Sequence, residues 1–198
     1  MAEFGLVAPI GREGLQQLIR LVEESDPRVS DEARVCLEFL VAQLQLVNLQ
    51  IVETDRRIRT SARSTEVGRR LMSIPGVGPL LASALVATVA NPTAFKSGRN
   101  LAAWIGLVPK QNSSGGKDRL GGITKQGDRY LRQLLVVGAL AVVRYAERHG
   151  TRRPWLRPLL AKRPTEVGAG ALANKIARIA WAIMTRGESY REPEPAAA

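Results

Sequence analysis

Glu66-Val67-Gly68-Arg69-Arg70-Leu71-Met72-Ser73-Ile74-Pro75-Gly76-Val77-Gly78-Pro79-Leu80-Leu81-Ala82-Ser83-Ala84-Leu85-Val86-Ala87-Thr88 reads as helix, sharp turn, helix. Pro79 falls where a first helical residue belongs, because a helix start leaves that N–H unpaired in any case. Leu80, Leu81, Ala84, Leu85 and Thr88 follow at helical spacing. Asn91-Pro92 closes the segment. Ile74-Pro75-Gly76-Val77-Gly78 has the form of a helix-hairpin-helix turn. Glycine permits the sharp turn and the close approach of a phosphate. The N–H groups that open the second helix would then face that phosphate, with the dipole favouring negative charge. Gly76, Val77 and Gly78 are therefore candidate nucleic-acid contacts, with Arg69 and Arg70 near enough in sequence to add charge. Such a module grips backbone without reading bases. The alternative is a tight turn between two core helices with no ligand.

Upstream, Ser30 with Asp31 and Glu32 marks a helix start, since acids in the first turn suit the macrodipole. Leu37, Leu40, Leu44, Val47, Ile51 and Ile58 then recur at alternating three- and four-residue steps, with Thr54 as the gap. This coiled-coil-like stripe over residues 31–59 predicts either self-association into a homo-oligomer or an ordinary long helix packed on its own domain. A shorter amphipathic helix, about Gly11 to Glu24, precedes it. Downstream, a short helix over Ser97 to Ile105 is closed by Gly106 and Pro109. Thr124 or Asp128 can cap a helix running to about His149. Arg152 to Pro164 is a basic, proline-broken connection. A last helix, about Thr165 to Arg186, places Ala169, Leu172, Ile176, Ile179 and Ile183 on one face, and Gly187 ends it. No strand pattern stands out, so the expected fold is all-α. Residues 1–62 form an amphipathic and coiled-coil region, residues 63–190 a compact helical domain, and residues 191–198 a frayed tail.

The chain carries a net charge of +11, with a sequence pI near 10.8, which points to a polyanionic partner. At 45% hydrophobic residues it can also bury a core. From Arg99 to Gly170 there are 14 basic residues against 4 acidic ones, so the excess is concentrated there. Within that region Lys110 to Gly122 is a loop of small and polar residues. Ser113-Ser114-Gly115-Gly116, with Lys110, Lys117, Arg119 and Lys125 around it, makes a flexible cationic cradle for phosphate. A hydroxyl beside that phosphate is where a nucleophile would belong; a basic Gly/Ser linker without chemistry is the alternative. Arg129 and Arg132, one turn apart, can flank one groove or strand. Tyr130, Tyr145 and Trp155 lie among the charges and can stack on unpaired bases, whereas Trp104 is expected in the core.

Several chemistries are disfavoured. With one cysteine, Cys36, and one histidine, His149, there is no intrachain disulfide, zinc cluster or histidine-based triad. Asp55, Asp118 and Asp128 are scattered and form no set for a two-metal nuclease. Residues 1–20 lack a signal-peptide pattern. The apolar run Leu134 to Val143 is half a membrane span. The expectation is a cytoplasmic protein with no membrane partner.

Four stretches in order carry a resemblance. They are Ile74 to Gly78; Leu101-Ala102-Ala103-Trp104-Ile105-Gly106-Leu107-Val108-Pro109; Ser113-Ser114-Gly115-Gly116-Lys117; and Ile123-Thr124-Lys125-Gln126-Gly127-Asp128-Arg129-Tyr130-Leu131-Arg132. Together they resemble the transposase domain of the DEDD insertion-sequence family, relatives of the Piv DNA invertase. Ala171 to Trp181 resembles one branch of that family, and Ala2 to Pro9 resembles a segment that lies mid-chain there. The resemblance implies a bacterial, nucleoid-associated enzyme with an N-terminal RuvC-like domain, whose four acids hold a divalent metal (magnesium). A coiled coil and then this domain follow. It implies DNA strand exchange through a serine nucleophile, with a structured guide RNA choosing the target. The serine before Gly115, Ser114, matches the nucleophile best, and Ser113 remains open. The chain opens where the acidic domain of the family has ended. No cofactor is therefore expected on it, and alone it is expected to bind nucleic acid without recombining DNA.

Overall fold

The computed structural model describes residues 1–117, 119–150 and 155–192. The chain divides into two compact units, Met1–Arg57 and Ile58–Ala198, with the boundary inside one long helix. The first unit holds a short 3-10 turn (Ala2–Phe4), helix α1 (Arg12–Glu23) and most of α2 (Asp31–Ser64). Its small buried cluster is Leu6, Val22 and Val29. The link between α1 and α2 is tied by charge. Arg28 forks onto Asp26 at 2.9 and 2.7 Å, and Arg34 Nη2 donates to the carbonyls of Asp26 and Val29, each at 3.0 Å. The Arg28 hydrogen bonds pull the Asp26 carboxyl down from its ordinary value to about 2.

Of the expected stripe on α2, Leu40, Val47 and Ile51 are each more than half accessible, whereas Leu37, Leu44 and Ile58 are half-buried. Val35, Phe39, Leu46 and Leu49 are exposed as well. At 3.6 residues per turn they form a second apolar stripe, roughly opposite the first. Among the described residues α2 is also the one helix long and apolar enough to cross a membrane, with a hydropathy of 1.7 over 18 residues. Sequence reading passed over it because Gln43, Gln45, Asn48 and Gln50 interrupt the apolar run. Those amides would each need a partner in hydrocarbon.

The second unit is built on α8 (Thr165–Arg186). One side of this helix is Gly168, Ala169, Gly170, Leu172, Ala173, Ile176, Ala177, Ala180 and Ile183, all buried. Such small side chains let neighbouring helices approach closely. Helices α3 (Glu66–Met72), α5 (Gly98–Ile105), α6 (Arg129–His149) and α7 (Leu156–Lys162) pack against α8, and α4 (Pro79–Thr88) packs on α3 and α6. Leu71, Leu85, Leu101, Ile105, Leu131, Leu135 and Leu156 fill the centre. Local chemistry sets the ends. Ser97 accepts from Asn100 N at the start of α5, and Gly106 (φ +83°) ends that helix. Asp128, not Thr124, caps α6, accepting from Leu131 N at 2.8 Å. Trp181 Nε1 donates to Pro92 O at 2.9 Å and pins the turn before α5.

Three expectations are corrected. The fold is mostly helical rather than all-α, because Pro109–Gln111 (β1) and Leu120–Ile123 (β2) pair antiparallel. The basic connection Arg152 to Pro164 contains α7; Arg152, Arg153 and Pro154 lie outside the described residues, as does the tail from Pro193. Trp104 is 42% exposed and tilts against Phe95, with ring centroids 5.5 Å apart, instead of entering the core.

The turn between α3 and α4 faces inward at one glycine and outward at the other. Gly76 has φ +92°, and a Cβ there would lie 2.9 Å from Gly138 O on α6. A Cβ on Gly138 would lie 2.0 Å from Gly76 O. Gly78 has open space around it. Gly138→Ala should therefore lower unfolding free energy by about 1–3 kcal/mol through overpacking, whereas Gly78→Ser at the α4 cap should stay within about 0.5 kcal/mol. Urea denaturation of both variants checks this; equal midpoints would show that the two backbones do not meet.

Candidate nucleic-acid interface

The candidate serines sit at the end of the β1–β2 hairpin. Asn112 N donates to Arg119 O at 2.9 Å, Ser114 and Lys117 form a bridge, and Lys117 N donates to Ser114 O at 3.1 Å. Gly115 (φ +57°) and Gly116 (φ +74°) are both left-handed. A type I′ turn requires that, and its twist matches paired strands. The loop read as flexible is thus an ordered hairpin. The Gly115-Gly116 pair was the available signal for it, but the flanking residues show no alternation, being almost wholly exposed.

The hairpin's base is clamped. Thr124 N donates to Val108 O at 2.8 Å and Lys125 N to Gly106 O at 3.1 Å. A Cβ on Gly106 would lie 1.9 Å from Gln126 O, and one on Gly127 (φ +99°) 1.8 Å from Trp104 O. Only glycine lets the segment before α6 cross the end of α5 so closely. Lys125 itself takes a left-handed φ of +58°, a strained setting for a side-chain-bearing residue. Asn174 Nδ2, from α8, donates to Leu107 O at 3.1 Å and anchors the same strand to the core helix.

At the tip the two hydroxyls differ. Ser113 Oγ donates to Gln111 Oε1 at 3.2 Å and accepts from Arg119 N at 3.0 Å, so it braces the hairpin. Ser114 Oγ makes no such bond among the described residues and is exposed. Lys110, Lys117, Arg119 and Lys125 are all exposed on this one hairpin, with Gly115 and Gly116 at its turn. Asp118 lies outside the described residues. Among the described residues no carboxylate or imidazole is hydrogen-bonded to either serine, and no three His, Cys, Asp or Glu side chains converge to hold a metal. The donor set does not fit a divalent cation, and no metal-assisted step follows from these residues.

The other nominated cations are partly engaged in structure. Arg132 is half-buried and its Nη1 donates to Ile105 O at 2.9 Å, closing the last turn of α5, while Arg129 is exposed. Arg69 Nη1 donates to Arg63 O at 2.9 Å at the end of α2, and Arg70 pairs with Glu66. Val77 is buried in the core, so only its backbone is available. Tyr130 and Tyr145 are exposed, and Trp155 is half-buried beneath Lys175.

Residues 68–154, from α3 through the hairpin to the end of α6, match the transposase family IS116/IS110/IS902. Over that segment the chain is similar to the IS116/IS110/IS902 transposases. The likeness extends beyond the segment. The chain is 42% identical over 194 residues to a protein of Pseudomonas aeruginosa described as a probable family 20 transposase, covering 96% of this chain and 57% of the other. It is 35% identical to the transposase of insertion sequence element IS1111A from Coxiella burnetii, over 96% of this chain and 53% of that one. The transposase of IS1328 from Yersinia enterocolitica is also 35% identical, with shares of 96% and 57%. The chain therefore spans about half the length of these relatives. For the family segment the clamp is decisive. Gly127→Ala should cost roughly 2–4 kcal/mol from overpacking and left-handed strain, with faster exchange of the Lys125 amide. Gly115→Asn, which restores a favoured type I′ pair, should leave stability within about 0.5 kcal/mol. Urea midpoints and amide exchange decide it; a tolerated Gly127→Ala would show that the clamp is loose.

Proposed function

We propose that this chain is the nucleic-acid-gripping part of an insertion-sequence transposase, and that the β1–β2 hairpin delivers Ser114 to a DNA phosphate. The observation that carries the reading is the tip itself: an exposed Ser114 paired through its backbone with Lys117, on a stalk bearing Lys110, Arg119 and Lys125. Ser113 is occupied in bracing the turn, which favours Ser114 of the two. In the step, Ser114 Oγ bonds to phosphorus, the sugar oxygen leaves as a hydroxyl, and a phosphoserine link holds the strand. The serine proton needs an acceptor. Among the described residues none is hydrogen-bonded to the hydroxyl, and the family resemblance implies that a RuvC-like acidic domain supplies the base or metal. Guide RNA as a second partner rests on the same resemblance, and a cytoplasmic, DNA-acting protein follows from the reading. The open Gly78 end of α4 is an auxiliary backbone contact within it.

Self-association is part of the proposal, since Leu40, Val47 and Ile51 on one side of α2 and Val35, Phe39, Leu46 and Leu49 on the other are left exposed among the described residues. Leu40→Glu with Val47→Glu should turn an oligomer into a monomer by sedimentation equilibrium; a wild-type monomer at tens of micromolar would remove this element.

Binding to duplex DNA and to structured RNA from the element's flank, across a salt series, tests the rest. Lys110→Glu, Lys117→Glu and Lys125→Glu together should flatten the log–log salt slope on duplex by about 2–3, near 0.9 per lost phosphate contact. Supplied with the acidic domain and a nicked element end, the wild type should form a covalent adduct that Ser114→Ala abolishes and Ser113→Ala retains. An unchanged slope removes the hairpin from the interface. An adduct that survives Ser114→Ala leaves a binding module without this nucleophile.

A further inference from the structure

A groove of about 820 Å³ runs between the start of α5 and the outer face of α8, apart from the hairpin. One wall is Ser97, Gly98 and Arg99; the other is a strip of α8 that includes Asn174, Lys175 and Arg178. Small residues, Ala171 and Ala182, leave the strip open between the cations. The walls are held in place by a close approach, since a Cβ on Gly98 would lie 2.9 Å from Arg178 O. Trp155 lines the groove, with Lys175 Nζ 4.8 Å from the centre of its ring. Arg99 and Arg178 are exposed, and no carboxylate is among the described residues that line the groove. Lys175 and Arg178 lie beyond the basic excess of residues 99–170.

We propose that this groove is a second polynucleotide site that holds a single strand, an inference that rests on the nucleic-acid reading above. Two guanidinium groups with no carboxylate partner among the described residues are matched to phosphate, which they can grip with two parallel N–H bonds. The lining is mostly apolar, and the three charges it carries, on Arg99, Lys175 and Arg178, are all positive. A cationic track with an aromatic beside it is the usual makeup of single-strand sites, because every base presents a flat face for contact. The groove is concave and Trp155 is half-buried in it. A duplex keeps its bases paired and stacked inside, so it would ride on the rim; a single strand can lower phosphates between Arg99 and Arg178 and turn a base toward the indole. The strip starts at Ala171 and Asn174, where α8 anchors the hairpin strand.

The test uses the full chain, labelled 20-nucleotide single-stranded DNA and RNA of one mixed sequence, and the matching duplex. Arg99→Glu with Arg178→Glu is compared with wild type and with the Arg99→Lys, Arg178→Lys pair. If circular dichroism shows the reversed pair misfolded, Arg99→Gln with Arg178→Gln replaces it. The reversed pair should weaken single-strand binding at least about tenfold and flatten its salt slope by about 1.4, near 0.7 per lost contact. Duplex binding should fall at least about fivefold less, and the lysine pair should stay close to wild type. The strand, DNA or RNA, that shows the larger loss is the occupant. Equal losses on single strand and duplex would mean only a general charge effect and overturn the proposal, as would unchanged single-strand affinity or a wild type that binds no single strand. Failure of the hairpin reading shows separately, in the duplex salt slopes of the hairpin variants.

Discussion

Close approach on small residues is the constraint from which the arrangement of residues 58–192 follows. The buried face of α8 is mostly alanine and glycine, and at Gly98 the backbone of α5 meets that of α8. Gly98 lies against the Arg178 peptide, and Gly76 and Gly138 lie against each other. Larger side chains at these points would separate the helices before Leu101, Leu131 and Leu135 could pack. The same economy of volume lets Asn174 reach Leu107 O and fix the strand that begins the hairpin.

That constraint passes outward to the candidate site. Gly106 and Gly127 let the two ends of the hairpin cross within backbone distance, and Arg132 and Asp128 then close α5 and open α6 beside them. The hairpin is therefore a short stalk on a rigid base, although its own residues are exposed. A catalytic or gripping side chain on such a stalk loses little freedom when it meets a phosphate, which is the advantage of building sites on ordered elements. It also explains the division between the serines: one hydroxyl maintains the turn and the other is left for a ligand.

Much of the helical layout was legible because its signals are local. Pro79 opens α4, Asp128 caps α6, and the apolar face from Ala169 to Ile183 ending at Gly187 gives α8 its limits. The hairpin was not legible by pattern, since strands of three and four exposed residues have no buried face to alternate. Its pairing depends on a two-glycine turn and on contacts with Gly106, Val108 and Gln126 that exist only in three dimensions. Charge alone also misled. Arg69, Arg70 and Arg132 counted toward a polyanion surface, yet each is spent at least partly on a carbonyl or a carboxylate nearby. Gly76 was read as a phosphate contact and is instead packed on α6, leaving Gly78 as the open glycine of that turn.

On the proposed function, the hairpin, not the long α2 helix or the α3–α4 turn, is the first surface to meet DNA. Photocrosslinking to duplex carrying bromodeoxyuridine, followed by peptide mapping, addresses this directly. Adducts should concentrate in residues 110–125 and be suppressed at high salt. Adducts confined to residues 31–59 or 74–80, with residues 110–125 unmodified, would contradict it.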